Sequence, residues 1–129
     1  MKRWLYIMLV ALCVVACSKG DDPSLVVAHT AKVYYDYLLQ GKYDDFVAGM
    51  NFPDSIPDTY RSQLVDNAKM YMAQQNREHR GIQEIAVIRA RVDTVTHTAD
   101  AFLSFTYGDG SSEQVVVPMV QRRDIWYMR

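Results

Sequence analysis

A chain of 129 residues has the length of one domain, and its 50% apolar, 12% aromatic and 22% charged composition supports a packed core and excludes a disordered chain. A formal charge of −1 with a pI near 6.3 gives no general attraction for phosphate, so nucleic acid is not an expected partner.

The chain opens with Lys2-Arg3 and then runs from Trp4 to Ala16 without a charge. A membrane-crossing helix needs about 20 apolar residues, and this shorter run gives way at once to Ser18-Lys19-Gly20-Asp21-Asp22, which is the pattern of a secretory signal. Its end, Val14-Val15-Ala16-Cys17, resembles the lipobox of bacterial lipoproteins. The resemblance implies that residues 1–16 are a signal peptide removed before Cys17, that Cys17 carries the acyl chains, and that residues 17–23 form a lipidated cysteine and flexible tether. It also implies a place in the cell envelope, on the outer membrane, facing the periplasm or the surface. The competing reading is an ordinary secreted cysteine with cleavage near Ala16. Asp21 and Asp22 resemble the acidic export tether of some surface lipoproteins and serve equally as the lead into a first helix. Cys13 lies in the signal, so the mature chain keeps Cys17 alone and forms no disulfide framework.

Beyond the leader, Asp22-Pro23 reads as a helix start, an acceptor followed by proline at the first helical position, and Gly41 as its stop. Val26, Val33, Tyr37 and Leu38 supply the expected apolar stripe. A short helix follows over Tyr43–Ala48, turning Phe46 and Val47 inward. A third opens at Ser55-Ile56-Pro57-Asp58, where Ser55 and Asp58 have capping-box spacing, and runs to Gly81 with Tyr60, Leu64, Ala68, Tyr71 and Met72 in the 3.6-residue period. After Gly81 the period becomes two, and 82–92, 99–107, 113–121 and 125–129 read as strands joined by short loops, hence an antiparallel meander. Helices first and strands after make an α+β domain over 24–129, three helices packed on a curved four-stranded sheet.

This order, with the elbow Leu38-Leu39-Gln40-Gly41-Lys42-Tyr43-Asp44-Asp45-Phe46 and the closing Asp124-Ile125-Trp126-Tyr127, resembles the nuclear-transport-factor-like superfamily, also called cystatin-like or ketosteroid-isomerase-like. It is similar in particular to small lipoproteins of that group with a lumazine-binding-like domain. The resemblance implies a cone-shaped fold able to enclose an apolar pocket, and sheet faces that pair into homodimers.

In the first strand Ala86, Ile88, Ala90 and Val92 alternate with Ile85, Val87, Arg89 and Arg91, so both faces are apolar at one end. A solvated antiparallel face should be polar throughout. Either a second copy covers that face, or the sheet is wrapped by its own helices and loops.

Tyr37, Tyr71 and Tyr107 are the candidate pocket residues, large apolar bodies with polar tips, although tyrosines at helical spacing also serve as plain core. A small apolar or aromatic ligand would suit them. An isomerase or dehydratase of the resembled fold would need a carboxylate or histidine base, for which Asp100 and His97 are the available residues. His29, His79 and His97 are too far apart in sequence, with no acid or thiol at ligand spacing, to suggest a metal, and no cofactor is expected. Gly108-Asp109-Gly110-Ser111 has turn composition and lacks the Lys of a phosphate loop. Arg77, Arg80, Arg89, Arg91, Arg122 and Arg123 form either an anion patch or solvated surface. Together these features describe a non-catalytic, lipid-anchored binding or interaction module, with an isomerase-type enzyme or a structural subunit pairing through its sheet face as alternatives.

Overall fold

A computed structural model describes residues 22–52 and 54–129. The expected signal peptide, Cys17 and most of the expected tether lie outside the described residues. Helix α1 covers Pro23–Leu39, and it starts as expected: the Asp22 carboxylate accepts from the Ser24 amide at 3.0 Å and Pro23 takes the first helical position. Gly41, at φ +74°, carries the chain out of the helix. Helix α2 covers Tyr43–Ala48 and buries Phe46 and Val47. Helix α3, Asp58–His79, starts differently from the expected capping box: Pro57 is the N-cap, no side chain caps it, and Asp58 is already helical. The proline, with its backbone at φ −60°, sets the helix entry in place of Ser55.

Four strands follow, β1 (Ile82–Asp93), β2 (Thr98–Tyr107), β3 (Ser112–Arg122) and β4 (Ile125–Met128), in the antiparallel order β1-β2-β3-β4. The outer edge of β4 is not left bare. Met50 bridges to Met128, the Asn51 amide donates to the Met128 carbonyl at 2.8 Å, and the Met128 amide donates to the Gly49 carbonyl at 2.8 Å. The segment after α2 therefore blunts that edge.

The inner face of the sheet carries Ala99, Ala101, Leu103, Phe105 and Tyr107 from β2, Val117 and Met119 from β3, and Trp126 and Met128 from β4, all buried. α1 packs on this face with Val27, Ala28, Ala31 and Leu38. This corrects the expected stripe: Val26 and Val33 are 43% and 45% exposed, and the helix is rotated to seat its alanines, which let it approach the sheet closely.

β1 corrects the expectation of two half-apolar faces. The register slips between Val87 and Arg89, so Ile88 is an extra residue in a bulge. Before the bulge Ile85 and Val87 face inward; after it Ala90 and Val92 do, while Arg89 and Arg91 turn outward. A strict two-residue period mixed the faces because the bulge shifts the phase by one. On the outer face the Arg89 guanidinium lies 4.3 Å over the Phe102 ring, leaving Phe102 9% exposed.

Candidate ligand-binding site

α3 crosses over the inner side of the molecule with little in its grip. Among its side chains only Ala68 is buried, and Leu64, Val65, Tyr71 and Met72 are half-buried. With a methyl group as its one buried side chain, the helix leaves space against α1 and α2. That space is a cavity of about 340 Å³ walled by Tyr35, Leu38, Phe46, Met50, Leu64, Asn67, Ala68 and Tyr71. Across Tyr35, Phe46 and Met50, which belong to both walls, a second of about 260 Å³ reaches Asn51, Phe52, Val117, Pro118, Met128 and Arg129. Tyr35 is the partition. Its ring meets Phe46 edge-on at 5.4 Å and Phe105 at 5.6 Å, a geometry that fixes the ring plane.

Polar groups around the larger cavity are few: the Asn67 carboxamide and the hydroxyls of Tyr35 and Tyr71. Burial pushes the Tyr71 phenol up to about 12, with Tyr35 and the Glu113 carboxylate adding to the rise, and burial raises Tyr35 as well. Beside the smaller cavity the Asn51 Oδ1 is buried and has no hydrogen-bond partner.

The end of α3 is fastened. His79 stacks on the Tyr107 ring at 4.4 Å, and its Nδ1 stands 3.5 Å from the Asp109 carboxylate. The Tyr107 hydroxyl donates to Glu113 at 2.7 Å, and burial followed by that hydrogen bond raises the Tyr107 phenol. The Ser111 hydroxyl and amide, then His79, hold the Asp109 carboxyl below its ordinary range. Gly108-Asp109-Gly110-Ser111 is thus a turn that grips α3. Gly108 lies so close to the Arg80 carbonyl that a Cβ there would collide with it.

Of the pocket tyrosines read from the sequence, Tyr71 lines the larger cavity and Tyr107 stands next to it around Glu113, outside the lining. Tyr37 lines neither cavity and lies beside Tyr34. Tyr35 holds the place in between. The pattern contained it: Ala28, Ala31, Tyr35 and Leu38 fall on one side of a helix, a phase that the bulkier Val26 and Val33 obscured. Met50 and Asn51 carried no periodic signal, because the pairing with Met128 that positions them is remote in sequence.

Asp100 and His97 are placed elsewhere. Asp100 alternates with the buried Ala99 and Ala101 and so faces outward, 3.6 Å from the Arg91 guanidinium. His97 is exposed in the β1–β2 turn with φ +56°. Among the described residues no three His, Cys, Asp or Glu side chains are grouped as metal ligands, and no helix is long and apolar enough to cross a membrane.

Models of known protein families match nowhere on the chain, and no curated protein matches it. Among solved structures it superposes on a protein from Campylobacter jejuni that bears the provisional name NTF2-like transpeptidase. The TM-score is 0.60 over 76% of this chain and 92% of that one, at 12% identity. The fold is NTF2-like. At that identity the likeness speaks for the architecture alone, and in this NTF2-like chain the site has to be argued from its own residues.

Proposed function

We propose that this protein is a non-catalytic, lipid-anchored module of the cell envelope that holds a small apolar or aromatic molecule between α3 and the pair α1 and α2. The observation that carries it is the 340 Å³ cavity with its wall of aromatic and aliphatic side chains and few polar groups. Ligand pockets run to about 300–1,000 Å³ and share that make-up, a mostly apolar wall with a few orienting donors. Asn67 and the Tyr71 hydroxyl would orient the ligand, and its flat portion would lie against Tyr35.

An isomerase or dehydratase needs a base in the pocket, and the transpeptidase named for the structural neighbour would need a serine or cysteine nucleophile. Among the described residues the walls of both cavities contain no Asp, Glu, His, Ser or Cys. That composition favours binding over catalysis. It is also consistent with the similarity, read from the sequence, to lipoproteins with a lumazine-binding-like domain, since a planar heterocycle would suit Tyr35.

Anchoring rests on Val14-Val15-Ala16-Cys17 and the leader before it. Acyl chains add about 0.8 kcal/mol per buried CH₂, so the two or three chains of a bacterial lipoprotein hold the protein at the membrane stably. A second copy on the outer sheet face would cover Ile88, Val116 and Ile125, which are exposed.

Two experiments test the proposal. Labelled palmitate should enter the wild-type chain and not Cys17→Ser, and the wild type should fractionate with outer membrane. An environment-sensitive apolar fluorophore should bind the 22–129 segment, which holds every described element, and be displaced by the natural ligand. Failure of saturable binding, with the protein folded, would refute the pocket.

A further inference from the structure

The face of α1 turned away from the core is unusual for a solvent-facing helix. Leu25, Val26 and Val33 are 53%, 43% and 45% exposed, and His29 is exposed among them. At 100° per residue these four fall within one arc of the helix, opposite the arc of Val27, Ala31 and Leu38 that packs on the sheet. Isolated exposed apolar residues are ordinary, but here three share one stripe over the first turns of one helix. The charges nearby are few and of both signs. The Asp22 carboxylate caps the helix, and Asp36, within the same arc, is paired with Lys32 at 2.7 Å.

We infer that this stripe docks on the lipid surface, so that α1 lies along the membrane to which Cys17 is tied. The inference rests on the anchoring proposed above, and the tether supplies the argument for lipid as the occupant. Between Cys17 and Pro23 the chain is six residues long, which even fully extended spans about 20 Å at about 3.3–3.6 Å per residue. The start of α1, where Leu25 and Val26 are exposed, is therefore held next to the bilayer at all times. A tethered surface has a high effective concentration that a second copy, free to diffuse in the membrane plane, does not match. Lys32 and Asp36 neutralise each other, so the apolar side chains of the stripe carry the contact, whereas the outer sheet face points to the opposite side of the sheet from α1. Docking by α1 orients the domain and turns that sheet face away from the membrane.

The sequence provides the probe. Once Cys17 is acylated the mature chain has no other thiol, so an introduced cysteine is the sole site of labelling. Val26→Cys, Val33→Cys and Val116→Cys, all at exposed positions, are labelled with the NBD fluorophore in the lipidated chain. Each is reconstituted in vesicles of phosphatidylethanolamine and phosphatidylglycerol containing a doxyl-labelled lipid. A helix in the interface sits about 5–10 Å deep, so the doxyl lipid should remove more than about half of the emission at Val26 and Val33 and leave Val116 unchanged. Equal, weak quenching at all three positions would overturn the inference. So would quenching at Val26 and Val33 that depends on protein density and not on doxyl lipid, the mark of a second copy. A chain that stays out of the vesicles and whose Cys17 accepts the label would refute the anchor itself, and that failure is distinct from the other two.

Discussion

Ala68→Leu puts the cavity to a test of sign. Ala68 is 6% exposed and lies in the wall of a 340 Å³ space, so a leucine there gains three carbons pointing into room that already exists. At about 0.8 kcal/mol per buried carbon the gain is about 2.4 kcal/mol, and ordering the leucine side chain takes back about 0.5–1 kcal/mol. Helix propensity removes little more, since leucine ranks next to alanine. The net is a stabilisation of about 1–2 kcal/mol, or several degrees in Tm for a domain of this size. Urea unfolding of the 22–129 segment followed by Trp126 fluorescence measures it, because Trp126 is buried and is the one tryptophan of that segment. The same variant should lose ligand binding. If α3 instead sits down tightly on the core, the added carbons overpack it and the protein loses about 1–3 kcal/mol. That result would refute the pocket on physical grounds alone.

The wall and the end of α3 give three further tests. Tyr71 has its phenol pushed from 10.0 up to about 12, so the folded chain keeps that proton where the unfolded chain has lost it. The contribution is intact below pH 10.0 and falls as the pH rises through about 12, and Tyr71→Phe should flatten the alkaline decline of the urea midpoint. Asp109 shifts the other way: its carboxyl is held below 3.8, so its contribution is present above that pH and is lost as the pH falls below it. Asp109→Asn should make the acid decline shallower and speed hydrogen exchange at the end of α3. Gly108→Ala drives a Cβ into the Arg80 carbonyl and should cost about 1–3 kcal/mol in the same unfolding assay, since backbone on both sides has to shift.

Local chemistry was legible, and geometry set by distant parts of the chain was not. Asp22-Pro23, Gly41 and the change of period at Gly81 mark their boundaries because caps, positive-φ glycines and side-chain alternation act within a few residues. The rotation of α1 was misread because alanines pack on the sheet where valines would be expected, and nothing in the helix itself chooses between two apolar faces. The bulge at Ile88 was invisible for a related reason: it is a property of the pairing with Phe102 and Leu103, not of β1 alone. Tyr71 was found among the cavity residues, since it lies on the apolar stripe of α3. Tyr35 is in the helical pattern but masked there by Val26 and Val33, whereas the Met50-Asn51 segment emerges only when α2 and β4 are brought together.

The most direct test of the central claim is native mass spectrometry of the wild-type and Ala68→Leu chains, each isolated from its own host. The expected result is a reproducible bound mass of small-molecule size on the wild type, absent from the variant. Bare protein from both would contradict a ligand-holding function and leave the surface as the working part of the molecule.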